Sequence, residues 1–191
     1  MKSLTQHIAE SKALYQNVNI AESKALHQNV NIAEKLIVNK KYSTVKYHPT
    51  TWDELRQIIE ERYKVSDPGT EQNPVDFNDI DVSGMTTFYN TEKYLGMFEK
   101  TEFEYIDISN WDVSKVEDMG YTFFSCQKLK SIGDISNWKV SRVKYMGNMF
   151  RGCKDLTFVG DLSNWDVSHV DNMGYMFTNS AITNKPDWYK G

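Results

Sequence analysis

Three tryptophans, three aspartates and two cysteines recur at a single interval in this chain, and these are the residue types whose spacing has chemical meaning. Trp111, Trp138 and Trp165 stand 27 residues apart. Exposed in a row, their faces would stack on sugar rings; buried in a row, they would fill a core, and the strict register favours the core. Asp107, Asp134 and Asp161 keep the same interval. Facing one way they would form a ladder of like charge, unfavourable unless hydrogen-bonded, screened or bridged by a cation. The oxygen-rich calcium loop with its glycine is absent, which favours turn-forming aspartates bonded to local amides over a calcium ladder. Cys126 and Cys153 also stand one interval apart, within reach of a disulfide if adjacent, although free buried thiols acting as small hydrophobes are the preferred reading. The four histidines, His7, His27, His48 and His169, show no metal-binding spacing and no partner nucleophile. No glycine-rich phosphate loop is present. The expectation is therefore no catalytic residue, no cofactor and no metal; an enzyme would need a cleft the sequence hides.

The interval belongs to a repeat. DISNWDVSKVEDMGYTFFSC from Asp107 returns as DISNWKVSRVKYMGNMFRGC from Asp134 and as DLSNWDVSHVDNMGYMFTNS from Asp161. Val113, Val140 and Val167 keep register, as do Val116, Val143 and Val170, Met119, Met146 and Met173, and Phe123, Phe150 and Phe177. A degenerate earlier copy, DFNDIDVSGMTTF from Asp76, puts Ile80 where Trp stands later and has a few extra residues before LGMF at 95–98. Periods of this size signify units that cannot bury their own apolar face and do so by stacking on neighbours. The kept letters are then the core, and residues 74–191 form four coils. Ile108 to Val116 suits a brief strand with turns, and Ser109 and Asn110 with their equivalents bond backbone groups where the chain bends. Met119 to Cys126 and Met146 to Cys153 read as one or two helical turns. The predicted fold class is an α+β repeat solenoid, a right-handed stack of short strands with short helices opposite and an N-terminal helical cap.

Two regions precede the repeats. Residues 1–38 carry a tandem duplication, IAESKALYQNVN at 8–19 and IAESKALHQNVN at 20–31, with the apolar spacing of an amphipathic helix. This segment reads as a solvated helical tail or as a docking helix through which copies of the chain would associate. In residues 39–73, Ser43 to Tyr47 is strand-like. Thr51 to Glu54 has capping-box spacing, and Leu55, Ile58 and Ile59 give an apolar face, so a helix is expected from Trp52 to about Tyr63. This strand and helix would cap the first coil.

Composition narrows the partners. Lys and Arg number 22 against 26 Asp and Glu, a net charge of -4 with no basic run, which argues against nucleic acid. No apolar leader follows Met1 and no window approaches the roughly 18 apolar residues of a membrane span. As written, the chain reads as soluble, without a visible export signal, and so as cytoplasmic or virion-associated.

SNWKVSRVKYMGNMFRGCKDL, from Ser136 to Leu156, resembles the BspA-like leucine-rich repeat family, in the branch abundant in mycoplasma surface proteins and in gut bacteria and their phages. The resemblance covers roughly Asp76 to Ser180. In the last copy Ser180 replaces Cys and Thr183 replaces Leu; the first copy lacks the Trp. It implies a leucine-rich-repeat-like solenoid used in adhesion or protein binding, with no catalytic residues to carry over, and suggests a cell-surface location.

The positions that vary between copies mark the outside. Lys115, Arg142 and His169 are equivalent, as are Glu117, Lys144 and Asp171, then Asp118, Tyr145 and Asn172, then Tyr121, Asn148 and Tyr175. Such a mixture of Tyr, Arg and charge has the composition of a protein interface, and equally of an ordinary solvated face. The candidate binding residues are Lys115, Tyr121, Arg142, Lys144, Tyr145, His169 and Tyr175. The leading expectation is a non-enzymatic module that binds a protein or plays a structural role; a carbohydrate-binding adhesin using aromatic residues is the alternative, and an enzyme the third.

Overall fold

The computed structural model describes residues 47–190, so the duplicated N-terminal segment and all of the strand-like stretch except Tyr47 lie outside the described residues. Helix α1 spans Trp52–Val65. It starts where its sequence says: the Thr51 hydroxyl accepts from the Glu54 amide at 3.3 Å, and the Glu54 carboxylate accepts from the amides of Thr51 at 3.3 Å and Thr50 at 2.7 Å. These bonds, the Thr50 amide foremost, hold the Glu54 carboxyl below its ordinary range. Trp52, Leu55, Ile58 and Ile59 form the buried face, joined by Arg62. Among the described residues no helix is long and apolar enough to cross a membrane.

The repeats lie side by side along two parallel lines. In one, Thr87, Asp118, Tyr145 and Asn172 bridge in succession. In the other, β1 (Val75–Asp76) pairs in parallel with β4 (Ile106–Asp107), and Tyr105, Ser131 and Phe158 continue the line. Among the described residues, regular strand is otherwise confined to the antiparallel pair β2 (Tyr89–Asn90) and β3 (Leu95–Gly96). This hairpin contains the extra residues of the first copy. Its Gly96 is obligatory, because a Cβ there would meet the Tyr121 carbonyl at 1.8 Å.

Equivalent side chains meet across repeats. Phe98, Phe123, Phe150 and Phe177 stack with centroids 5.2, 5.5 and 5.6 Å apart. Trp111, Trp138 and Trp165 are each 4% exposed. A buried indole needs an acceptor, and each Nε1 donates to a carbonyl of the preceding repeat: Phe77 at 2.9 Å, Ile108 at 3.4 Å and Ile135 at 3.2 Å. Ile80, at the Trp position of the first copy, is also buried. Trp188 adds a rung that the 27-residue interval does not reveal: its ring lies 6.4 Å from that of Trp165, and its Nε1 donates to Leu162 at 2.9 Å. In the last copy Thr183 is exposed and Ile182 is buried, so the apolar position comes one residue earlier than the alignment of repeats suggests.

The helical turns expected at Met119 to Cys126 and Met146 to Cys153 are not helices but chains of turns. Two features forbid a helix. Tyr121, Ser125, Asn148 and Gly152 have φ of 56°, 59°, 59° and 77°, which breaks a right-handed helix at every fourth residue. Backbone amides also alternate in direction. Those of Thr122, Phe124 and Cys126 bond three residues back, whereas those of Met119, Tyr121, Phe123 and Ser125 donate to Tyr145, Gly147, Met149 and Arg151 of the next repeat, at 2.8 to 3.0 Å. The third repeat treats the fourth in the same way. Alternate peptide units therefore face one way, with amides toward the C-terminal end of the stack and carbonyls toward the N-terminal end.

Candidate interaction surface

The left-handed residues decide which side chains leave the stack. Tyr121, Asn148 and Tyr175 occupy one column, with φ of 56°, 59° and 58°. Asn tolerates this region, but for Tyr it costs on the order of 1 kcal/mol or more. The side chains so displayed make a continuous strip. Tyr89 stacks on Tyr121 at 5.2 Å, and Tyr121 meets Phe124 edge-on at 5.4 Å. The Arg151 guanidinium lies 5.9 Å from the Phe124 ring and 5.4 Å from that of Tyr175, and donates to Asn148 Oδ1 at 3.1 Å. Tyr175 is 62% exposed. Burial, then the neighbouring Tyr121 and Asp118, raises the Tyr89 hydroxyl above its usual range, so it stays a neutral donor.

Of the residues predicted from sequence, Tyr121 and Tyr175 fall in this strip. The other five do not. Tyr145 is exposed on the bridging line between Asp118 and Asn172, and Lys144 is held by a 2.7 Å ion pair to Glu117 of the preceding repeat. The Lys144 hydrogen bond and charge, with a smaller contribution from Arg142, keep the Glu117 carboxyl low. Lys115, Arg142 and His169 are exposed, and among the described residues none of them stacks on a ring of the strip. Tyr89, Phe124 and Arg151 are the contacts that sequence reasoning missed; Tyr89 lies in the irregular first copy, outside the register of the later ones. Phe124 and Arg151 stand 27 residues apart and three after Tyr121 and Asn148, so the comparison of variable columns finds them when extended by three positions.

The other candidates resolve differently. The tryptophan faces are buried against their neighbours and offer nothing to a sugar ring. Asp107, Asp134 and Asp161 each accept from a local amide, those of Ser109, Ser136 and Ser163, at 2.9 to 3.0 Å. Asp112 and Asp166 do the same for Ser114 and Ser168. Both cysteines are free and buried. Their thiols donate to carbonyls of the preceding repeat, Cys126 to Phe98 at 2.9 Å and Cys153 to Phe123 at 3.0 Å. A hydrogen bond with Cys126, then burial, pushes the Cys153 thiol far up, so it persists as SH. A half-open trough of about 850 Å³ follows the second bridging line, lined by Tyr105, Lys130, Ser131, Asp155 and Phe158 among others. There the hydrogen bond to Glu104, at 2.7 Å, raises the Lys130 ammonium and fixes it as a cation.

No curated protein and no solved structure matches the chain. A family model described as Mycoplasma protein of unknown function, DUF285, matches residues 71–188, and the chain belongs to that family.

Proposed function

We propose that the chain is a non-enzymatic binding module, a leucine-rich-repeat-like solenoid of the BspA-like kind, whose strip from Tyr89 to Tyr175 engages another protein. The observation that carries this reading is the pair Tyr121 and Tyr175 in backbone conformations that Asn148 fills with less strain. The Tyr175 ring, exposed and kept against its backbone preference, returns little to the core, and the half-buried Tyr121 packs on the rings of the strip itself. Together with Arg151 between two rings, they supply the residue types that dominate binding energy at protein interfaces.

The test is photo-crosslinking from a photoreactive residue at position 175 and, as a control, at Lys128 outside the strip. A protein adduct formed from 175 alone, and lost on Arg151→Glu with the circular dichroism unchanged, supports the reading. Equal adducts from both positions, or glycan binding that Tyr175→Ala abolishes, would overturn it; the second result would make the module a carbohydrate-binding adhesin.

A further inference from the structure

The turn chains of the second and third repeats each give four amides to the next repeat. The equivalent amides of the fourth repeat, those of Met173, Tyr175, Phe177 and Asn179, have no acceptor among the described residues. Trp188 supplies the indole rung of a further repeat, and Tyr189 sets its ring edge-on to Phe177 at 5.0 Å, but no described residue brings carbonyls to these four amides. We infer that they form a docking edge for a peptide segment of another protein, which binds through its backbone carbonyls in the place a further repeat would take.

The direction of the peptide units selects the occupant. Amides at every second residue point out of the stack, so the occupant must present carbonyls at the same two-residue spacing, as each repeat does for the one before it. An unpaired edge of this kind is a template for main-chain pairing. A second copy meets it poorly. Fourth repeat against fourth repeat would set donors against donors, and stacking head to tail would need the turn-chain carbonyls of the first repeat, where α1 already donates to Met97 through Arg56.

The experiment uses the full chain, labelled for amide hydrogen exchange, and the decapeptide VKYMGNMFRG, which is residues 143–152 of the chain itself. The peptide should slow exchange at Met173, Tyr175, Phe177 and Asn179 by about 3-fold or more, and thioamides at its Gly147 and Met149 carbonyls should weaken binding about 2- to 10-fold each. Binding should survive Arg151→Glu, which disables the aromatic strip and so separates the two proposals. Unchanged exchange at these amides with saturating peptide, equal binding of the thioamide peptide, or protection that rises with protein concentration in the absence of peptide would overturn the inference.

Discussion

At the first repeat, α1 reaches the carbonyls that a preceding repeat would have used; at the fourth, the corresponding amides meet no described acceptor. Arg62 donates to the Asp76 carbonyl and Arg56 to that of Met97 at 2.7 Å, while Trp52 Nε1 donates to Phe88 at 3.3 Å. In the second repeat, Asp107 and Thr122, equivalent to Asp76 and Met97, accept from the amides of Phe77 and Phe98. Arginine thus stands in for the backbone of a missing neighbour. The contrast follows from the polarity of the stack. Along the turn chains its N-terminal end exposes acceptors, which long side chains rich in N–H groups can reach from a distance, whereas its C-terminal end exposes donors, for which the described residues that follow supply rings but no carbonyls. Apolar surface is closed at both ends, by Trp52 at one and Trp188 at the other, but arginines reach outward carbonyls at the first end, whereas among the described residues nothing accepts from the four amides at the other.

The largest effect expected is at the closed end. Arg62→Ala removes both the Asp76 bond and the buried pair with Asp79, where Nη2 lies 2.6 and 2.7 Å from the carboxylate oxygens, and should cost about 3–5 kcal/mol in denaturant unfolding. Burial already holds the Asp79 carboxyl above its usual range despite Arg62. Without the arginine it rises further. A carboxyl raised by folding favours the folded state when protonated, so the deficit of Arg62→Ala should shrink as pH falls toward the carboxylate range and widen as pH rises. A deficit that does not vary with pH would remove the buried charge from the explanation.

At the open end, Trp188→Ala should cost about 2 kcal/mol, less than Trp138→Ala at about 3–5 kcal/mol, since Trp188 is half-buried and stacks on one side only. Equal losses would mean that the C-terminal rung is as integral as the interior ones. Arg56→Ala should cost about 1.5 kcal/mol, chiefly the hydrogen bond from a charged donor to Met97, with the longer bond to Gly96 and the exposed pair with Glu60 adding little. Smallest is the cap of α1. The Glu54 carboxyl is lowered by folding, so its contribution is present above its unfolded range and fades as pH falls through the folded value. Wild type should exceed Glu54→Gln by about 0.5 kcal/mol at neutral pH after solvent screening, with the gap closing in acid.

These assignments were unequally legible in the sequence. The start of α1 was plain because a capping box is local, and the indole and phenylalanine ladders because a repeat must return the same side chain to the same place. The turn chains were misread. Met119, Phe123 and Cys126 have spacings that suit a helix, and nothing in the letters Tyr121 or Ser125 announces a positive φ. Trp188 was missed because it follows Trp165 by 23 residues rather than 27. Arg56 and Arg62 gave no signal, since they act on backbone carbonyls at least 14 residues away, and a carbonyl has no letter. The aromatic strip was half visible: Tyr121 and Tyr175 stood out as variable outer positions, whereas Phe124 resembles core until its contact with Arg151 is seen.

The central claim is that the turn chains of the stack are polar, with outward acceptors at one end reached by arginine and outward donors at the other left without a described acceptor. Residue-resolved amide hydrogen exchange on the free protein tests it most directly. The account predicts strong protection at Met119, Tyr121, Phe123 and Ser125, and at Met146, Asn148, Phe150 and Gly152, with fast exchange at Met173, Tyr175, Phe177 and Asn179. Equal protection across all three sets would contradict it, because the fourth repeat would then have an acceptor for each of those amides.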